Sequence, residues 1–168
     1  MSEETLTMDG TRLIMDRIAS VLDPAGHAYI SPVQRTLFEF LANQVSEFGA
    51  DRGCPIVSMV DHVGNYWRNW LLLISRTGPY RPSTIMRLLE AIDPSHPISY
   101  RMLTLNLRIL ERDGLVRREV FNDEINHVEY ELTSLGMELS DWILSLIQWI
   151  ERRSPEVAEA RISFDLSR

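Results

Sequence analysis

The chain has no lysine: all seventeen of its basic residues are arginine, a bias that genome composition alone can produce. It has one cysteine in 168 residues, which excludes an internal disulfide framework. Its longest wholly apolar run, Trp70 to Ile74, falls far short of the roughly 18 residues a membrane span requires. The start, MSEETL, is acidic and lacks the basic-then-apolar form of a signal peptide. Together these absences predict a cytoplasmic protein with no membrane partner. There is no Gly-rich phosphate loop, no nucleophile elbow and no recognisable pair of catalytic carboxylates. His27, His62, His96 and His127 are scattered, without the Cys or carboxylate spacing that specifies a metal site. An enzyme is therefore not expected, and no cofactor is implied.

Positive net charge is also lacking. The formal charge is −7, which by itself argues against a polyanionic partner. Its distribution argues the other way. From Arg76 to Arg118 there are eight arginines and four acidic residues, a local balance of +4, so the rest of the chain carries −11. A solvated basic face with no partner would look the same, so charge alone does not decide. The length suits one domain, or one domain with an extension, and 45% apolar residues suffice for a core.

The basic stretch contains a recognisable order of parts. Pro97 cannot continue a preceding helix, and Ser99 is a good N-cap. Leu103, Leu107 and Leu110, widened by Met102 and Ile109, predict a helix from about Ser99 to Arg112 with one apolar face. Gly114 can take the left-handed conformation that ends it. Leu115 to Phe121 then reads as a strand. Val128, Tyr130 and Leu132 alternate with His127, Glu129 and Glu131 as its partner strand, and Asn122 to Asn126 form the polar turn. Helix, Gly turn and hairpin in this order are a recognition helix and a wing.

ISYRMLTLNLRILERDGLVRREV followed by HVEYELTSLG resembles the HxlR-type winged helix-turn-helix transcriptional regulators. The resemblance runs from Cys54 to about Asp165. Upstream it takes in Cys54-Pro55, GNYW with Gly64 and Trp67, and GPYRPSTIMRLL; downstream it takes in Trp149 and SPEVAEARISFD. The chain departs from the family pattern at Tyr66, where relatives carry Lys, at Pro82, where they carry Phe, and at Ile125-Asn126, where they carry a Pro pair. The resemblance implies double-stranded DNA as partner, dimerisation through terminal helices, and in some relatives a thiol sensor at the Cys next to Pro. Here only Cys54 could take that role. A reactive thiol needs exposure and surroundings that favour the thiolate; a helix start offers the second, while a buried, inert cysteine is the plainer alternative.

The expected architecture is mainly α with a small β-hairpin wing: a helical N-terminal extension over residues 1–53, then a winged helix-turn-helix domain with a long C-terminal helix over 54–168. In the extension, Leu13, Ile14, Ile18, Val21 and Leu22 mark one amphipathic helix, which Asp23-Pro24-Ala25-Gly26 breaks. Ser31-Pro32-Val33-Gln34 is a good start for a second, with Leu37, Leu41, Val45 and Phe48 on its apolar side. These two helices need a surface to bury against, in their own chain or in a second copy. Gly49 to Gly53 reads as a linker, followed by a short helix with Ile56, Val57, Val60 and Val63 inward. Trp67, Trp70, Leu71 and Ile74 mark core on a helix from Tyr66 to Thr77. Ile85, Leu88, Leu89 and Ile92 mark the inner side of the first helix of the helix-turn-helix, which begins at Pro82. The turn, Asp93 to Pro97, is long and Pro-rich. Leu135, Leu139, Trp142, Ile143, Leu146, Ile147 and Ile150 make the last helix apolar over more than one stripe, which is usual for a helix buried on two sides. Trp142, Ile143, Leu146, Ile147, Trp149 and Ile150 are the expected dimer contacts, and a short separate helix is expected around Pro155 to Ile162.

On DNA the recognition helix would present its N-terminal residues to base edges. Arg101 is the base-reading candidate, because arginine can make two hydrogen bonds to guanine. Thr104 could bond a base or touch a thymine methyl, and Leu105 would make apolar contact or belong partly to the core. Ser99 opens the helix, and Tyr100 and Arg108 are placed for phosphate. Arg81, Ser83 and Thr84 stand where a helix N-terminus can receive a phosphate. Arg117 and Arg118 flank the wing, whose tip, Asn122-Asp123-Glu124, is acidic and would be repelled by phosphate. The expected protein is a homodimeric regulator, by default a repressor, on a roughly palindromic operator, responsive to an oxidant or a small-molecule inducer. The competing reading is a winged-helix protein-interaction module that does not bind DNA, which the acidic remainder and wing tip favour.

Overall fold

A computed structural model describes residues 3–22, 31–49, 54–122 and 126–167. The element order is α1 (Glu3–Leu22), α2 (Pro32–Phe48), α3 (Pro55–Gly64), α4 (Tyr66–Ser75), α5 (Pro82–Ile92), α6 (Tyr100–Arg112), β1 (Val116–Phe121), β2 (His127–Leu132) and α7 (Ser134–Leu166). The chain forms two units, Met1–Val60 and Asp61–Arg168, with the division inside α3. The break expected at Asp23 to Gly26, and most of the linker expected up to Gly53, lie outside the described residues.

The first unit contains the α1–α2 hairpin. Ser31 caps α2 as its sequence predicts: the Gln34 amide donates to Ser31 Oγ at 3.3 Å, and the Ser31 amide donates to Gln34 Oε1 at 2.9 Å. The helices run in opposite directions and meet through small and polar residues. Thr11 donates to Asn43 at 2.8 Å, and a Cβ on Gly10 would stand 2.3 Å from Ser46 Oγ. Of the residues expected to bury, Ile14 and Ile18 are half-buried, while Leu13, Val21, Leu22, Leu37, Leu41 and Val45 are exposed. Farther along the hairpin, the larger side chains Met15, Ile18 and Phe38 are half-buried and line a cavity between the two helices.

The second unit is built on leucine and isoleucine. Leu71, Leu72 and Ile74 of α4 share a core with Ile85 and Leu89 of α5 and with Leu103, Leu107 and Leu110 of α6. Leu115, Val116, Tyr130 and Ile143 close it. Ile92, expected inward, is 49% exposed, because α5 ends at that residue and the chain turns away. Gly114 has φ +73°, and the Leu115 amide reaches back to the Leu110 carbonyl at 2.9 Å, so the helix ends as the sequence predicts.

β1 and β2 pair antiparallel, from Val116 opposite Leu132 to Phe121 opposite His127. Tyr80 adds a one-residue bridge to Tyr130, with amide-to-carbonyl distances of 3.0 and 2.9 Å, tying the segment before α5 to the wing. Asp123, Glu124 and Ile125 of the wing tip lie outside the described residues.

The C-terminal helix corrects the expectation of a separate short helix near Pro155. α7 is continuous over 33 residues with Pro155 inside it. Proline has no amide to give the carbonyl four residues back, at Glu151. Ser154 Oγ donates to that carbonyl at 3.0 Å and satisfies it.

Candidate nucleic-acid interface

The α6 helix has two unlike faces. Ser99 caps it, accepting from the Met102 amide at 3.2 Å, and its hydroxyl is thereby committed to the helix start. Leu103, Asn106, Leu107 and Leu110 are buried. Arg101, Leu105 and Arg108 recur at helical spacing on the opposite side, and all three are exposed, with Tyr100 and Met102 beside them. Leu105 is 52% exposed, so it is available for apolar contact and is not core. Thr104 is half-buried, and its hydroxyl donates to the Tyr100 carbonyl at 2.8 Å. That leaves an oxygen lone pair and a methyl group for a partner.

The N-terminus of α5 follows Arg81, whose side chain makes no capping bond, and Pro82 occupies the first turn. Ser83 is exposed and Thr84 half-buried. Arg87, which the sequence reading does not single out, is exposed one turn beyond Ser83 on the same face; its i, i+4 spacing from Ser83 is the signal that could have found it.

The arginines divide by their partners. Arg108 pairs with Glu111 at 2.6 Å and Arg81 with Glu129 at 3.7 Å. Arg117 pairs closely with Glu131, its cross-strand neighbour, and with Glu119 at 3.8 Å. Arg118 stands opposite Tyr130 in the hairpin register. Burial raises the Tyr130 hydroxyl pKa above its ordinary value, and the Arg118 charge and hydrogen bond oppose that rise. Among the described residues, Arg101 and Arg87 have no carboxylate within ion-pair distance. The arginine best placed for bases is thus also one whose charge is not already spent within its own chain.

A polar anchor fixes the long turn between α5 and α6. Tyr66, at the start of α4, donates its hydroxyl to Asp93 Oδ2 at 2.5 Å. His96 Nδ1 lies 2.8 Å from the same oxygen, and the Ser95 amide donates to Asp93 Oδ1 at 3.1 Å. The Tyr66 ring packs edge-on against Trp67 and Trp70. These bonds, Tyr66 first and His96 next, lower the Asp93 carboxyl pKa below the ordinary carboxylate value.

Cys54 precedes α3 and is buried, 5% exposed. Of the expected dimer contacts, Trp142 is 75% exposed, and Leu146, Ile147, Trp149 and Ile150 are exposed with it. Ile143 is different: at 2% exposed it belongs to the core of its own unit, because it lies on the side of α7 that packs on α4. Among the described residues no group of three or more His, Cys, Asp or Glu side chains could hold a metal ion, and no helix is long and apolar enough to cross a membrane.

Comparison with known proteins agrees with this arrangement. Residues 62–158 match the family described as HxlR-like helix-turn-helix. The uncharacterised HTH-type transcriptional regulator YtfH of Escherichia coli K12 is 34% identical over 108 residues, 64% of this chain and 81% of that protein. The corresponding regulator YdeP of Bacillus subtilis 168 is 38% identical over 100 residues, 60% of this chain and 73% of that protein. Among solved structures, the transcriptional regulator ytfH of Salmonella typhimurium is similar with a TM-score of 0.54 at 33% identity, over 66% of this chain and 94% of that one. The redox regulator HypR in its reduced form is similar with a TM-score of 0.52 at 34% identity, over 62% of this chain and 98% of that one. With a family match over more than half its length and a recognition helix and wing in the matched region, the chain belongs to the HxlR-like helix-turn-helix family and is a DNA-binding transcriptional regulator.

Proposed function

We propose that the protein is a homodimeric repressor that binds a roughly palindromic operator, with the two α6 helices in major-groove half-sites about one helical turn apart. The observation that carries this reading is the outward face of α6, where Arg101 stands exposed with no carboxylate partner among the described residues. Arg101 reads bases, Leu105 and Thr104 add apolar and hydrogen-bonding contact, and Tyr100, Arg108, Ser83 and Thr84 meet the backbone. Arg81, Arg117 and Arg118 supply charge from the base of the wing. The exposed apolar stripe of α7, Trp142 to Ile150, is the dimer surface. Repression follows because occupancy of a promoter suffices for it.

Regulation falls to Cys54 or to a small ligand that changes the spacing of the two reading heads. The likeness to a redox regulator supports the thiol, and its burial means that an oxidant reaches it only when the start of α3 opens. With one cysteine per chain, its oxidised partner would be another chain or a low-molecular-weight thiol.

The test is binding of the purified protein to its own upstream DNA across a salt series, with and without a thiol oxidant. Affinity that falls steeply with salt is expected, because each neutralised phosphate releases a counterion. Loss of binding on oxidation, restored by Cys54→Ser, would establish the sensor. No binding even at low salt would sink the operator reading and favour a protein-interaction module.

A further inference from the structure

His62 lies at the centre of a buried polar chain that reaches the recognition helix. Its side chain is fully buried. Nε2 is 2.8 Å from Asp113 Oδ2, just past the end of α6. Nδ1 is 3.2 Å from Arg68 Nη1 on α4. The same guanidinium donates through Nε to Asn106 Oδ1 at 3.2 Å and through Nη1 to Asp61 at 2.6 Å. Asn106 is a buried residue of α6, and its amide group donates to the Met102 carbonyl at 2.8 Å. Arg112 holds the far side of Asp113, with Nε at 2.7 Å. A single imidazole and a single guanidinium thus join α3, α4 and both the middle and the end of α6.

The geometry fixes the charge of the ring. A guanidinium has hydrogens to give and no lone pair to accept with, so Nδ1 must be the acceptor. The one ring proton then sits on Nε2 and is donated to Asp113. The ring is neutral in this arrangement. A second proton would place an Nδ1–H against an Arg N–H, two donors and two like charges at hydrogen-bond distance. Either the ring or Arg68 would have to leave, and either movement breaks the Arg68–Asn106 bond to α6. The charged groups around the ring are Asp61 from α3, Arg68 from α4, and Asp113 with its partner Arg112 at the end of α6. Burial is the largest influence and keeps the His62 pKa below the ordinary histidine value; Arg68 lowers it further, against the opposing pull of Asp113 and Asp61.

We propose that His62 and Arg68 are positioning residues for the recognition helix, and that protonation of His62 releases this hold, so that acid weakens operator binding. The proposal rests on the reading of α6 as the operator-contacting helix. Its sign sets it apart. Positive charge gained in acid on a DNA-binding face would strengthen attraction to phosphate. Only a group whose neutral form holds the interface together acts in the opposite sense.

The experiment measures operator affinity of the full chain at constant ionic strength from about pH 8 to about pH 4.5, for the wild type and His62→Gln, with circular dichroism at each pH to confirm the fold. Glutamine can accept from Arg68 and donate to Asp113 but does not titrate. The wild type should lose affinity as pH falls through the folded-state pKa of His62, which lies below the ordinary histidine value, with a limiting slope of about tenfold per pH unit, the signature of one proton. His62→Gln should bind like the wild type at the alkaline end and hold its affinity, or gain some, in acid. Tightening of the wild type in acid, or equal weakening of both proteins, overturns the proposal. Absence of wild-type binding at pH 8 would instead strike the operator reading on which it rests. Should His62→Gln fail to fold, the NMR titration of His62 in the wild type decides: a midpoint matching the loss of affinity supports the proposal, and a ring that stays neutral while affinity falls defeats it.

Discussion

Tyr66 and Asp93 are joined by a 2.5 Å hydrogen bond between the first residue of α4 and the residue that closes α5. It sits at the hinge of the helix-turn-helix, where a turn containing Pro94 and Pro97 must still present α6 at one angle. Tyr66, the residue before Trp67, carries the donor that pins this turn. Tyr66→Phe removes the bond and leaves the ring contacts with Trp67 and Trp70. The Asp93 carboxyl, held low chiefly by this bond, should then titrate closer to its ordinary value. The sign for stability follows: a depressed carboxylate pKa stabilises the fold above about pH 3.9 and ceases to do so as pH falls through the folded value. The wild type should therefore exceed Tyr66→Phe in stability at neutral pH, and the difference should shrink in acid. Carboxyl NMR and denaturation at two pH values check it; an unmoved Asp93 titration would show that the bond has no such role.

Arg101 and Arg108 lie on one face of α6 but in different electrostatic states, and the difference is measurable. Arg108 must release Glu111 before it meets a phosphate, whereas Arg101 has no such bond to break among the described residues. Arg101→Ala should cost about 1–3 kcal/mol of operator affinity and relax specificity at one base position. Arg108→Ala should cost less, equally across sequences, and reduce the salt slope by about one. Conversely, Glu111→Gln frees Arg108 and Glu131→Gln leaves Arg117 only its longer pairing with Glu119, and both should tighten binding while steepening its salt dependence. A binding series over operator variants and salt separates these outcomes. If Arg101→Ala proved sequence-neutral, base reading would have to lie elsewhere on α6.

The features legible in the sequence are those set by near neighbours. The Ser31 and Ser99 caps, the positive φ at Gly114 and the extended run of β2 each need only a few adjacent residues, and each is where local chemistry puts it, although along β2 only Tyr130 is fully buried. What the sequence hides depends on distant residues. Periodicity marks Ile143 and Trp142 alike as apolar, but only packing on α4 decides that Ile143 is core and Trp142 is not. The small-residue contact between α1 and α2 needs Gly10 and Ser46 to meet across the hairpin. His62 reads as one of four scattered histidines, because its partners Arg68 and Asp113 come from α4 and from the far end of α6. The candidate DNA-contacting arginines are visible in the sequence; their carboxylate partners are not, since Arg117 with Glu131 and Arg81 with Glu129 pair across the fold.

Gly136 locks the start of α7 onto the wing. A Cβ there would stand 2.0 Å from the Leu115 carbonyl oxygen and 2.7 Å from Leu132 Cδ1. The oxygen is backbone, and the Thr133 amide already bonds to it at 3.1 Å, so it cannot give way cheaply. Gly136→Ala should destabilise the protein by about 1–3 kcal/mol, the usual cost of overpacking. Gly64→Ala is the control: its Cβ would meet nothing within 4 Å, and the substitution should be neutral or mildly stabilising. Thermal or urea denaturation of the pair checks the contrast, and a Gly136→Ala protein as stable as the wild type would mean that the wing and α7 are not held this closely.

The exposed side of α7 predicts a division between assembly and stability. Over about 12 Å of helix, Trp142, Leu146, Ile147, Trp149 and Ile150 present an apolar surface that the protomer leaves uncovered, while Ile143 is sealed inside it. Ile143→Ala should therefore lower stability by about 2–5 kcal/mol through the cavity it leaves, with no direct effect on subunit contact. Trp149→Glu should do the reverse: a charge at the subunit contact separates the dimer, and the isolated protomer keeps its helical content. Because joining two reading heads makes the second half-site an intramolecular event, the separated protomer should lose about 100-fold or more in affinity for a two-half-site operator. It should bind a single half-site as well as the wild type does. Sedimentation and binding to one- and two-half-site duplexes together decide between these outcomes. A Trp149→Glu protein that still sediments as a dimer would move the subunit contact off this face, and the outward-facing apolar residues of α2 would be the next surface to substitute.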